Sequence, residues 1–278
     1  MKIKRKYVSL ILKYIVIIAL SAVIVLPFLW MVTTSLKPYS KIFVFPPQWI
    51  PIPPQWSNYT EMIAHSHIFL YMFNSLKVAV LRTGGVVFLA CMSAYAFAKI
   101  RFPGRDIIFI IFLGALMIPI EVITVPLYLG FAKISMVDSH LAVIVPQMFG
   151  LAGVFGIFLM RQTFITVPNE LMEAAKIDGC NHLRILWQIM VPIASSTIFA
   201  LIIYTFFQAW NDYFTPFVFL SSTEKYTIPV ALTLFTNEVG TDWHLVMAAA
   251  TLVTFPLLVI FFIFQKKIIA SLAMSGIK

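Results

Sequence analysis

The sequence predicts an all-α integral membrane protein with six transmembrane helices. Two observations carry this expectation. Of 278 residues, 61% are hydrophobic and 11% are charged, too little polar surface to cover a soluble domain. The apolar residues also gather into unalternating runs near 14–36, 74–98, 107–131, 140–160, 193–213 and 244–264. Each matches the roughly 20 helical residues that cross a hydrocarbon core of about 30 Å. Barrel strands would alternate, whereas a helix satisfies its own backbone in lipid.

The expected organisation is an N-terminal segment 1–13, a six-helix domain 14–264 and a tail 265–278. The first run follows Met1-Lys2-Ile3-Lys4-Arg5-Lys6. It is too long for a signal-peptide core and lacks a clear small-residue cleavage site, so it reads as a retained first span.

Basic residues set the orientation. Lys2, Lys4, Arg5, Lys6, Lys13, Lys99, Arg101, Arg105, Arg161, Lys176, Arg184, Lys266, Lys267 and Lys278 share one face of this topology. The other has Lys37, Lys41, Lys133 and Lys225, with Lys77 and Arg82 near or within the second span. The positive-inside rule then places both termini and the loop 161–192 in the cytoplasm, and the loop 37–73 outside. Headgroups therefore account for the formal charge of +9, making membrane lipid the expected partner and excluding nucleic acid.

Cys91 and Cys180 offer no disulfide framework. His65, His67, His140, His182 and His244 lie on separate segments without metal-site spacing, and read as capping or interface residues. In the external loop, Phe45-Pro46-Pro47-Gln48-Trp49-Ile50-Pro51 and Pro53-Pro54-Gln55-Trp56 predict extended or polyproline backbone. Two readings stand there: a stiff connector resting on headgroups, or a docking surface for an external protein.

The segment between Pro168 and Pro192 is the informative one. Asn169 is placed to cap a short helix, Glu170 and Glu173 fall in its first turns, and Gly179 ends it. Ala174 and Ala175 keep the helix surface low, so another protein's groove could approach. Leu171, Met172 and Ile177 offer apolar anchors, and Leu183, Ile185, Leu186, Trp187 and Ile189 suggest a second amphipathic piece before Pro192.

Glu173-Ala174-Ala175, three residues, Gly179, nine residues, Ile189, one residue, then Val191-Pro192 resembles the EAA signature of permease subunits in ABC importers. Val191 departs from the more usual leucine. The resemblance covers most of the chain and is closest to MalG-like permeases of carbohydrate uptake systems. It includes Asn74-Ser75-Leu76, Ala94-Tyr95-Ala96-Phe97-Ala98, Arg101-Phe102-Pro103-Gly104-Arg105, Met117-Ile118-Pro119, Ile123-Thr124-Val125-Pro126-Leu127-Tyr128 and Phe155-Gly156-Ile157-Phe158-Leu159-Met160-Arg161-Gln162. Trp210-Asn211-Asp212, Thr227-Ile228-Pro229-Val230 and Gln265-Lys266-Lys267 also fit, while Ser271 stands where glycine is expected.

The resemblance implies a MalG/MetI-like fold and half of a membrane pore. A second, MalF-like permease would form the other half, two ATPase subunits would supply energy, and an external solute-binding protein would deliver a carbohydrate. It also implies that Glu173, Ala174, Ala175, Asp178 and Gly179 form a coupling helix for an ATPase cleft. No glycine here precedes lysine, so a phosphate-cradling GxxxxGK[ST] loop is missing and ATP is expected on partners. The chain is expected to carry no cofactor of its own and to be no enzyme.

Polar residues within the predicted spans are candidates for the solute pathway: Glu121, Gln147, Gln208 and Asn211. An acid in lipid costs about 2.5–3.5 kcal/mol, so Glu121 should face the bundle interior, either lining the pathway or pairing with Lys77 or Arg82. The three amides suit sugar hydroxyls and equally suit helix–helix bonds. A permease for an amino acid or peptide shares the EAA signature and remains an alternative. A gradient-driven channel or carrier would leave that loop unexplained.

Overall fold

The computed structural model describes residues 2–237 and 240–276. Met1, Lys278 and the side chains of Lys2, Lys4, Arg5, Lys6, Lys266, Lys267 and Ser271, on which the orientation and tail expectations also drew, lie outside the described set.

The chain divides into two compact units, residues 1–68 with 232–258, and residues 69–231 with 259–278. The described elements are overwhelmingly helical. Four helical stretches are long and apolar enough to cross a membrane: Leu10–Ser35, Ile68–Lys99, His140–Thr166 and Trp243–Ile263. Two bent pairs bring the number to six if each is one span, Arg105–Met117 with Ile120–Lys133 and His182–Ile193 with Ser195–Trp210. The all-helical expectation holds. The third run is corrected from one helix to a broken pair, whereas the fifth holds a single helix, Ser195–Trp210, and the bend ahead of it separates the short amphipathic piece expected before Pro192.

In the first unit, α1 (Lys2–Ser35) is apolar from Leu10 onward apart from Lys13, and that stretch is largely exposed within this chain. Helix α2 (Ser57–His65) was not expected in the external loop. It closes that loop onto the end of α1: Asn58 Nδ2 donates to Ser35 O at 2.8 Å and Lys37 O at 2.9 Å, and Ser35 Oγ lies 2.7 Å from Tyr59 Oη. Lys37 folds its ammonium 3.8 Å from the Trp30 ring centroid, a cation–π contact, and burial lowers its pKa. A short antiparallel ribbon, β1 (Thr236–Asn237) and β2 (Gly240–Thr241), pairs Thr236 with Thr241.

In the second unit, α3 (Ile68–Lys99) leads to α4 (Arg105–Gly114) and α5 (Ile120–Lys133). The residue before a proline is steered away from the helical region. Ile118 and Pro119 are accordingly extended, and α5 restarts after a 99° bend. Helices α6 (His140–Phe149) and α7 (Leu151–Thr166) meet at Gly150 and together form one span.

Then come α8 (Asn169–Ile177) and α9 (His182–Ile185). A π turn over Leu186–Met190 leads into α10 (Val191–Ile193), and α11 (Ser195–Trp210) follows an 82° bend. Pro192 has no N–H for the carbonyl four residues back, and the helix widens just ahead of it.

The unit continues through α12 (Phe214–Phe219) and α13 (Ile228–Ala231), while α14 (Trp243–Gly276) runs through the division between units. Asp138 ties the loop before α6 to the loop after α12. Its carboxylate accepts from Ser221 N and Ser222 N, each at 2.9 Å, from Ser222 Oγ, and from Lys225 Nζ at 2.8 Å. Burial opposes ionisation, but the bonds from Lys225, Ser222 and Ser221 outweigh it and hold the carboxyl well below the usual carboxylate range.

Candidate functional site

Two constellations in the second unit concentrate the polar chemistry. The first is built around α8. Pro168 occupies the N-cap position without a side-chain bond. Asn169, expected to cap, instead accepts at Oδ1 from Lys99 Nζ at 2.8 Å, and the same ammonium donates to Val167 O at 2.6 Å. A lysine at the end of α3 thus satisfies groups at the entry to α8.

At the other end Gly179 adopts φ +78°. Its N–H donates to Lys176 O at 3.0 Å, and Cys180 N–H donates to Ala175 O at 2.9 Å. This is the crossed bond pair of a Schellman cap. A Cβ on Gly179 would meet nothing within 4 Å, so glycine is required by conformation rather than space.

Glu173, Ala174, Lys176, Ile177 and Asp178 are exposed, whereas Met172 and Ala175 are buried. The expectation of two outward alanines is corrected at Ala175, because the three-residue spacing puts it on the face of Met172. That face joins an apolar cluster with Tyr95 and Phe97 of α3, Met160 and Phe164 of α7, and Ile185, Leu186 and Met190. Helix α8 therefore shares a core with two long helices.

Polar contacts reinforce this junction. Tyr95 Oη lies 2.9 Å from His182 Nδ1. Arg161 of α7 donates to Phe97 O at 3.3 Å and lies over the Phe109 ring at 4.0 Å. Asn181, which the sequence reading passed over, caps α9 by accepting from Arg184 N at 2.8 Å. Its signal was an asparagine immediately after the glycine stop.

The second constellation is a cavity of about 540 Å³, within the roughly 300–1,000 Å³ common for small-molecule sites. Gln147, Gln208 and Asn211 line it with Arg82, Tyr204, Asp212 and Thr215. Arg82 Nη1 and Asp212 Oδ2 are 2.8 Å apart, with side chains 6% and 13% exposed. Asp212 Oδ1 accepts from Thr215 N at 3.1 Å, and Gln147 Nε2 donates to Thr215 Oγ1 at 3.0 Å. One chain of bonds thus links α3, the turn after α11, α12 and α6.

Glu121 is not among the lining residues, although its neighbour Ile120 is. The break at Pro119 leaves Glu121 exposed in the first turn of α5 rather than deep within a straight helix. The suggested pairing of Glu121 with Arg82 is likewise corrected, since Arg82 bonds Asp212. A lone arginine in an apolar run calls for a counter-ion, and Asp212 was the other acid available within the predicted spans.

Residues 86–273 match the family described as binding-protein-dependent transport system inner membrane component. The chain belongs to that family. It is 30% identical to the arabinooligosaccharides transport system permease protein AraQ of Bacillus subtilis (strain 168), over 93% of this chain and 92% of that protein. It is 32% identical to the sn-glycerol-3-phosphate transport system permease protein UgpE of Yersinia enterocolitica, over 85% and 86%. The sulfoquinovosyl glycerol transport system permease protein SmoH of Agrobacterium fabrum is 28% identical, over 91% and 88%. A chain from the crystal structure of a bacterial ABC transporter involved in the import of the acidic polysaccharide alginate superposes with a TM-score of 0.79. At 20% identity over 92% of this chain and 95% of that one, it establishes a shared fold.

This permease is therefore an ABC importer subunit of the inner membrane and a transport component rather than an enzyme. Such permeases work with a partner permease, an ATPase and a solute-binding protein, and need no cofactor of their own.

Proposed function

We propose that this chain is one of two unlike transmembrane subunits of a carbohydrate importer, with α8 as the element that receives motion from two ATPase subunits. Both termini and α8 lie on the cytoplasmic side, residues 14–264 form the permease domain, and an external binding protein delivers the sugar. The observation that carries the reading is the burial of Met172 and Ala175 in the cluster that holds α3 and α7. A helix anchored there cannot tilt alone, so displacement of its exposed face, which includes Glu173, Ala174, Asp178 and Gly179, is passed to the long helices. Two packings close in free energy are then biased by nucleotide on the partner.

The relative named for arabinooligosaccharides supports a neutral glycan-type solute, as do the amides of Gln147, Gln208 and Asn211 along the cavity. The test is purification of the tagged chain from native membranes with mass spectrometry of its companions, alongside Gly179→Val, a β-branched residue that the left-handed cap excludes. An ATPase and a second permease should accompany the chain, and the variant should lose the ATPase while still inserting. Transport by the chain alone would contradict the proposal.

A further inference from the structure

The cavity also bears on which solutes pass, an argument that rests on the carbohydrate-importer reading. Two charged residues line it, Arg82 and Asp212, and they are paired at 2.8 Å. The rest of its polar wall is uncharged, with the Gln147 and Gln208 amides and the Tyr204 and Thr215 hydroxyls. Arg82 Nε is buried and has no acceptor among the described residues, so Asp212 is the guanidinium's one anionic partner there. Surrendering that carboxylate to a solute would strand a buried charge, which is strongly unfavourable.

We propose that this cavity passes uncharged, hydroxyl-rich solutes and rejects anionic ones because Asp212 already neutralises Arg82. Gln147 donates one N–H to Thr215, which leaves its second N–H and its carbonyl oxygen for solute hydroxyls. The Tyr204 ring, 4.8 Å from the Phe155 ring yet 41% exposed, has surface left for the apolar face of a sugar. Opening the ion pair from either side converts the cavity to a charged one.

The test uses the assembled importer carrying Gln208→Cys as a probe and Cys180→Ser to remove the partly exposed native thiol. Reaction rates are compared for an anionic sulfonatoethyl and a neutral hydroxyethyl methanethiosulfonate. Asp212→Asn should raise the anionic-to-neutral ratio by about tenfold, and Arg82→Gln should lower it by about tenfold, as expected for one unit of charge nearby in a medium of intermediate dielectric. The double variant Arg82→Gln/Asp212→Asn should restore the parental ratio, and it keeps the test alive if either single variant fails to assemble.

Equal ratios in parent and single variants, or a shifted ratio in the double, would overturn the proposal. Entry of labelled arabinotriose and labelled trigalacturonate gives the second arm: the parent should take up the neutral trisaccharide only. Entry of trigalacturonate into cells carrying the parent overturns the proposal. Uptake of an amino acid or peptide in place of any sugar overturns the carbohydrate reading, while the thiol ratios still report cavity charge.

Discussion

Tyr95 Oη and His182 Nδ1 stand 2.9 Å apart, joining the end of the long helix α3 to the first residue of α9. The contact sits at the edge of the cluster that buries Met172 and Ala175. Motion of the EAA segment is therefore tied to a long helix by a directional bond as well as by packing. A net hydrogen bond contributes about 0.5–1.5 kcal/mol. Tyr95→Phe should speed amide exchange across residues 182–190 by roughly 2- to 10-fold with exchange in α5 unchanged. Unaltered exchange in 182–190 would show the bond to be dispensable.

Gly179 should order its substitutions by left-handed tolerance rather than size. The position has φ +78° and open space around a Cβ. Asparagine visits that region far more readily than alanine or a β-branched residue, for which it costs on the order of 1–2 kcal/mol. Transport-coupled ATP hydrolysis should fall in the order Gly, Asn, Ala, Val. An order following side-chain volume alone would contradict the cap assignment.

Gly156 is a packing site of the opposite kind. A Cβ there would lie 3.1 Å from Ala90 Cβ and 3.2 Å from Leu201 Cδ2, where α7 meets α3 and α11. Overpacking typically costs about 1–3 kcal/mol. Gly156→Val should lower the melting temperature of the detergent-solubilised protein, Gly156→Ala less so, and Gly156→Ala with Ala90→Gly should recover most of the loss. Failure of the double variant to recover would place the cost elsewhere.

Asp138 gives a pH dependence with a definite sign. Its folded carboxyl lies below the ordinary value near 4, so its contribution is complete above about pH 4 and is lost as pH falls through the depressed folded value. Asparagine tolerates the same φ of +58°, which isolates charge from conformation. Melting temperatures of the parent and Asp138→Asn should differ by a constant amount from pH 7 to about pH 5 and converge below about pH 4. A gap that widens on acidification would refute the assignment.

Much of this architecture is legible in the amino-acid sequence. Long apolar runs revealed the helices, because lipid forces each to satisfy its own backbone. The glycine stop at 179 was legible too, since it is local chemistry. The bend at Ile118-Pro119 was not, because the motif sat inside a run whose hydropathy stayed high. Nor was the burial of Ala175, which depends on neighbours 80 residues away in α3. The Arg82–Asp212 pair spans 130 residues, and its partner choice between Glu121 and Asp212 was set by the bend that removed Glu121.

The claim that α8 is the coupling element is tested most directly by site-specific photo-crosslinking in the assembled importer. A photoreactive residue at Ile177, 86% exposed at the end of α8, is compared with one at Ile52, 73% exposed in the loop after α1. The account predicts a crosslink from Ile177 to the ATPase, modulated by nucleotide, and none from Ile52. An ATPase that is present in the complex yet untouched from Ile177, or captured from Ile52, would contradict it.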